Sequence, residues 1–234
     1  DLPVDLHLIV TRDQAAVDPG GSAPVQSLEI DLALHDGGSS FDAIYRVTRD
    51  GRMRIDIIKD GKRLYTEAYD GRAGWDQGKD GSAPSPDPHG DALWHGTQYP
   101  GGIFQLGDMQ ANGHRLEYAG RERIDGVDYY VLKLSLSDGF ETYRYVDPAT
   151  WLIARSRDYR AFHPAVDPKQ TWIETRYSDY RPVEGVMRPF SSVNMDLSTG
   201  KQLASQQVTA YKVNPAIDPA VFVAPLGPGY VPAP

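Results

Sequence analysis

The chain of 234 residues contains no cysteine. That absence excludes disulfide staples, thiolate nucleophiles and cysteine-ligated metal centres, although it does not fix a redox compartment. Basic residues are in deficit: 24 Lys plus Arg stand against 32 Asp plus Glu, for a formal charge of -8. The positive footprint that recognises nucleic-acid phosphates is missing, which argues against DNA or RNA as a partner. No apolar run approaches the ~20 residues that a helix needs to cross a bilayer. Gly-x-Ser-x-Gly elbows, phosphate loops and dinucleotide fingerprints are absent too, which removes the best-marked enzyme classes. The first residue is Asp1 rather than Met, so removal of a signal peptide or of a lipidated N-terminal residue is expected.

What the chain does contain is turn chemistry. Asp-Gly pairs occur at Asp36, Asp50, Asp60, Asp70 and Asp80, the last four at ten-residue intervals. Such pairs supply the positive φ angles of tight hairpins, and the spacing leaves roughly eight residues for each strand. The period stops after Asp80 and no motif is shared between segments, which argues against propeller blades. Leu116 to Tyr159 shows the pattern most clearly. Tyr130, Leu132, Leu134 and Leu136 put an apolar stripe on one face, Asp138-Gly139 turns the chain back, and Phe140 to Val146 returns before Asp147-Pro148. Connections this short make antiparallel neighbours.

The remaining segments extend this meander. Thr171 to Tyr177 reads as a strand, Ser178 to Val186 as strand, turn and strand, and Pro189 to Leu197 and Leu203 to Val213 complete the set. The expectation is a mainly β fold with a single curved antiparallel sheet of about ten or eleven strands, near the size at which an open sheet curls. Residues 1–225 are expected to form one domain, and residues 226–234, rich in Pro and Gly, an extended or disordered tail. Little helix is expected. Leu6, Leu8 and Val10 alternate as in a strand, and Thr11 to Pro24 leaves room for at most one helical turn. Ser82 to Asn112, broken by Pro84, Pro86, Pro88, Gly90, Gly96, Pro100, Gly101, Gly102 and Gly107, reads as a long irregular loop, with Asp91 capping at most a short helix.

Several of these residues fall in a familiar order. Ala68-Tyr69-Asp70-Gly71 and Gly74-Trp75 are followed by Gly120-Arg121-Glu122 and Ile124-Asp125-Gly126. Tyr145-Val146-Asp147-Pro148 comes next, with Thr150. Asp179-Tyr180-Arg181, Gly185-Val186 and Pro189 lead to Asn214, Ile217-Asp218, Phe222 and Pro225. Taken together the succession, over roughly residues 65 to 225, resembles the LolA-like outer-membrane lipoprotein-sorting family. The resemblance implies a half-barrel wrapped round a hydrophobic cavity, a periplasmic location in a Gram-negative bacterium, and a cargo of lipid or acylated protein. It also implies an inner-membrane transporter and an outer-membrane acceptor as further partners.

Candidate site residues follow from both lines. Trp75, Trp94, Trp151 and Trp172 and Phe104 suit the wall of a lipid cavity, as do Tyr130, Leu132 and Leu134 on the apolar stripe. For any one aromatic, ordinary core packing is the competing reading. Trp94 and Phe104 stand out as gate residues of the irregular loop. His89 and His95, on either side of Trp94, match no metal pattern and read as surface histidines. Asp76, Asp80 and Asp87 only loosely resemble a calcium loop, since Gly78 replaces one ligand and Asp87 the usual bidentate Glu. Asp179-Tyr180-Arg181 reads as a strand-end ion pair or hydrogen-bonding corner. The expectation is thus a monomeric, non-catalytic carrier without cofactor or metal. A lipid-free sensor or scaffold that binds a protein is the alternative, and a hydrolase using Asp or His ranks third.

Overall fold

The computed structural model describes residues 5–225; the tail expected over 226–234 lies outside the described residues. Turn chemistry organises most of the chain. Backbone φ is positive at Gly37 and Gly38, Asp60 and Gly61, Asp125 and Gly126, and Glu184 and Gly185. Two consecutive left-handed residues make the tight hairpin turn whose twist matches that of its strands. At Asp138-Gly139 only Gly139 is left-handed, and Leu136 N–H donates to the Phe140 carbonyl at 2.8 Å, giving a slightly wider hairpin.

Thirteen strands result. They are β1 (Ser27–Asp36), β2 (Ser39–Thr48), β3 (Met53–Lys59), β4 (Lys62–Tyr69), β5 (Gly74–Gly78), β6 (Gly81–Pro84), β7 (Arg115–Ile124), β8 (Val127–Ser135), β9 (Glu141–Val146), β10 (Ile153–Ala161), β11 (Gln170–Val183), β12 (Val186–Asp196) and β13 (Lys201–Val213). All belong to one antiparallel sheet in the order β6-β5-β4-β3-β2-β1-β13-β12-β11-β10-β9-β8-β7. The first and last strands pair at its centre, with Leu28 opposite Val213. Strands β6 and β7 are the two free edges, so the sheet curls into a half-barrel and does not close. Among the described residues two or three more strands form than the ten or eleven that the sequence suggested, and Gly81–Pro84 is one of them. Ser178 to Val183 is no separate strand either: it continues β11 past a left-handed Asp179.

The N-terminus corrects the sequence reading. Leu6–Val17 is a three-turn helix, α1, capped by Asp5, whose carboxylate accepts from Leu8 N–H at 2.8 Å. Its buried stripe is Ile9, Asp13 and Val17, with the helical spacing of four. A carboxylic acid in the middle of that stripe is what disguised it. The strand-like alternation of Leu6, Leu8 and Val10 is incidental to a helix that draws its stability from packing against β12 and a 3-10 turn at Leu106–Asp108. Among the described residues no helix is long and apolar enough to cross a membrane.

The sheet divides polar from apolar sharply. Its convex face carries ion pairs: Glu174 is fully buried beneath Arg155, Arg157 and Arg176, at 2.9, 2.8 and 2.6 Å. Hydrogen bonds from these guanidinium groups outweigh burial and hold its carboxyl below the ordinary range. Arg181 likewise pairs with Asp179 at 2.6 Å, and Tyr180 donates to the Ile153 carbonyl at 2.6 Å, the ion pair and corner read from the sequence. The concave face holds the main core, in which Leu28, Val47, Met53, Leu132, Leu134 and Val146 meet Ile9 and the segment between β6 and β7.

Asp13 gives this packing a pH dependence. Burial, with one carboxylate oxygen unpartnered among the described residues, raises its pKa from 3.8 to about 7. The folded chain then holds a proton that the unfolded chain releases between about pH 4 and 7, so stability should fall as pH rises through that window. At ~1.4 kcal/mol per pKa unit the loss is on the order of 4 kcal/mol. Urea unfolding of the native chain and of Asp13→Asn is expected to show a stability difference that shifts by that order across the window. A pH-independent difference would contradict the burial of a neutral acid here.

Candidate functional site

The two free edges are consecutive in sequence, so the chain must cross the mouth of the half-barrel between Pro84 and Arg115. This is the stretch that the sequence presented as an irregular loop. It contains a second helix, α2 (Asp87–Gln98), and the 3-10 turn. Asp91 lies inside α2 and does not cap it; Pro86 occupies the cap position. Pro88 is tolerated because first-turn N–H groups have no helical partner to lose. Gly74 of β5 lets α2 reach the sheet, since a Cβ there would come within 3.0 Å of the Gly90 Cα.

Both histidines of α2 are buried, contrary to their reading as surface residues. His89 Nε2 lies 3.0 Å from Asp76 Oδ1 on β5 and 3.7 Å from Glu67 Oε1 on β4. His95 Nε2 lies 2.6 Å from Asp138 Oδ2 in the β8-β9 turn, with its ring stacked on Phe140 at 4.1 Å. The helix is thus fastened at both rims of the open sheet, each time through a histidine and a carboxylate. His114 adds a third tie: its Nδ1 accepts from Ser137 N–H at 3.2 Å, so Nε2 carries the proton and donates to Gln98 Oε1 at 3.1 Å. Burial lowers its pKa, in keeping with a neutral ring. Arg49 secures the rest by donating to the Ile103 carbonyl at 3.3 Å and pairing with Asp108 at 3.1 Å.

Between this roof and the sheet lies a cavity of about 410 Å3. Its floor is apolar: Leu28, Ile30 and Leu32 of β1, Tyr45 and Val47 of β2, and Ile55 of β3. The roof is Gly96, Thr97 and the loop Tyr99–Ile103, where Gly101 has φ of +102°. Phe190, Ser191, Ser192, Gln206, Tyr177, Tyr180 and Tyr211 form a more polar wall on β11 to β13. Tyr211 donates to the Pro189 carbonyl at 2.8 Å, and burial pushes its pKa up to about 12; Tyr45, Tyr99 and Tyr180 are raised by burial as well. Neutral phenols in an apolar enclosure offer a ligand surface and hydrogen bonds, not general-base chemistry.

Two arginines, each 1% exposed, touch residues of the cavity's roof without lining it themselves. Arg144 sits over the Tyr99 ring at 4.4 Å and 3.9 Å from Asp158, and none of its guanidinium nitrogens has a hydrogen-bond partner among the described residues. Arg188 donates to the Gly102 carbonyl of the roof at 2.9 Å, while its Nε and Nη2 have no partner among the described residues. Burial lowers the Arg188 pKa. Buried guanidinium donors without hydrogen bonds are costly, and both groups sit against residues of the roof.

None of the eight residues singled out from the sequence is among those lining this cavity. Leu132, Leu134 and Tyr130 belong to the main core further along the concave face, and Trp151 stacks on Tyr130 at 5.2 Å. Trp94 and Phe104 are both in the roof segment and together line a small cleft beside Arg49 and Gln98. Trp75 is buried against Ala68 and Ala224, where its indole N–H donates to the Phe222 carbonyl at 2.7 Å. Trp172 is 43% exposed and shares a separate groove with Tyr143 and Leu197. The residues that do line the cavity carried one legible signal, the alternation of Leu28, Ile30 and Leu32 along β1.

No family model matches the chain, and no curated protein matches it. Solved structures do. The chain is similar to a LolA superfamily protein from Nitrosomonas europaea, at 15% identity over 94% of this chain and 98% of that one, with a TM-score of 0.57. It is similar to a protein domain from Vibrio parahaemolyticus described as outer-membrane lipoprotein-sorting, at 11% identity over 92% and 94% of the two chains, with a TM-score of 0.57. A DUF1329 family protein from Desulfovibrio piger matches at 14% identity over 93% and 95%, with a TM-score of 0.56. The fold of this chain is LolA-like.

Proposed function

We propose that the chain is a non-catalytic carrier that holds a lipid, or the acyl chain of a lipoprotein, in the cavity under α2. The observation that carries this reading is a half-open cavity of about 410 Å3 with an apolar floor and a fastened roof. Ligand pockets run from ~300 to ~1,000 Å3 and are mostly apolar with a few polar groups, as this one is. Each methylene moved from water to such a floor contributes ~0.8 kcal/mol, so an acyl chain binds without any specific contact. The LolA-like fold supports the same reading, with a periplasmic location, an inner-membrane transporter as donor and an outer-membrane acceptor as its natural setting. Arg144 and Arg188 favour a ligand whose head is anionic.

A second reading has its own observation. Trp172 and Tyr159, 43% and 50% exposed, lie beside Tyr143 and Leu197 on the opposite face of the sheet from the cavity. Exposed aromatic groups of this kind suit a protein partner, and a sensor or scaffold would use them without lipid. The two readings separate at the cavity. Ile30→Trp fills it from the floor and leaves the outer face untouched. The variant is expected to keep its circular dichroism and to lose affinity for a fluorescent fatty acid by about tenfold or more, the effect of ~1.4 kcal/mol. Unchanged affinity in a folded variant would move the binding site elsewhere.

Arg144 supplies a further test. Its guanidinium lies 3.9 Å from the buried Asp158 carboxylate, and removing one member of a buried pair leaves the other charge uncompensated. Arg144→Met is expected to lower stability in urea, by up to ~3 kcal/mol, and to weaken binding of an anionic fatty acid more than of the matching fatty alcohol. Equal losses for the acid and the alcohol in a folded variant would mean that the guanidinium does not meet the head group.

A further inference from the structure

We infer that Glu67, Asp76 and His89 form a divalent-cation site of zinc type where α2 meets the free edge of the sheet. One ligand atom from each of the three residues lies within 4.8 Å of the others. Measured from His89 Nε2, the carboxylate oxygens of Asp76 and Glu67 are 3.0 and 3.7 Å away. Ligands ~2.0–2.2 Å from a tetrahedral ion are roughly 3.3–3.6 Å apart, so small side-chain adjustments place all three in one coordination shell. The donor set, one imidazole and two carboxylates, suits zinc or manganese and leaves a coordination position open.

The surroundings fit a ligand set better than a simple ion pair. Asp76 is oriented by Ser85, whose hydroxyl donates to Oδ2 at 2.9 Å and leaves Oδ1 toward His89, as supporting hydrogen bonds orient a ligating carboxylate. Glu67 takes no hydrogen bond among the described residues, although its side chain is only 29% exposed. Two enclosed carboxylates facing one imidazole carry more negative charge than a single imidazolium neutralises, and a dication balances the set. The positions are also fixed in advance, because β4 and β5 are hydrogen-bonded neighbours and the Gly74–Gly90 backbone approach sets the height of α2 above them.

An ion held here rivets the N-terminal half of α2 to the sheet rim, and through α2 the roof of the cavity. The site does not depend on what the cavity holds. The test uses the full chain, dialysed against chelator and titrated with zinc chloride, then with manganese chloride, in a calorimeter. One saturable site per chain is expected, with a Tm that rises with free ion concentration. Glu67→Gln, which removes a charge but no hydrogen bond, is expected to lose affinity by tenfold or more, ~1.4 kcal/mol or greater. His89→Gln should abolish binding, and Asp87→Asn, on the same helix outside the cluster, should leave it unchanged. Failure of the native chain to take up either ion saturably would overturn the proposal. Uptake that persists undiminished in Glu67→Gln would overturn it equally, whether or not His89→Gln folds.

Discussion

Everything in this molecule depends on an antiparallel sheet that curls without closing. Thirteen strands leave β6 and β7 as free edges on opposite rims, and these two strands are joined by a single stretch of chain. Among the described residues no second sheet buries the apolar concave face, so that connecting segment and α1 do so. The segment is poorly suited to the task on propensity alone, being rich in Pro and Gly. It is held by side-chain ties from His89, His95, His114 and Arg49 to both rims. A roof fastened by a few polar contacts over an apolar floor encloses space without filling it, and the cavity is the consequence.

Charge is distributed accordingly. On the convex face every guanidinium near Glu174 finds a carboxylate, and the result is a ladder of paired groups. On the concave side Arg144 and Arg188 are buried with most of their donors unmatched. Charges are thus paired on the outside and largely without hydrogen bonds within. The same contrast explains why hydrophobic burial alone does not describe the core.

Local turn chemistry made much of the fold legible. Asp60-Gly61 announced its hairpin because two left-handed residues have few alternatives, and the alternation of Tyr130, Leu132 and Leu134 marked the concave face correctly. The helices were hidden for opposite reasons. In α1 the buried stripe contains Asp13, so its amphipathic period is broken at the position that matters; in α2, Pro88, Gly90 and Gly96 suggest a loop, although Pro88 is harmless in a first turn and the close approach of the helix to β5 rests on Gly74. The cavity was the least legible part. Its walls come from β1 to β3, β11 to β13 and the roof, which only the strand order of the folded sheet brings together. The carboxylates that meet His89 are likewise 13 and 22 residues before it in sequence, too irregular a spacing to read as a motif.

Whether the cavity holds lipid is decided by mass spectrometry of organic extracts from the full chain, purified without detergent from a Gram-negative host, beside a matched preparation lacking the protein. A lipid species that co-purifies in stoichiometric amount and is enriched for an anionic head is expected. A well-folded preparation carrying only the background lipid of the control would contradict the carrier reading.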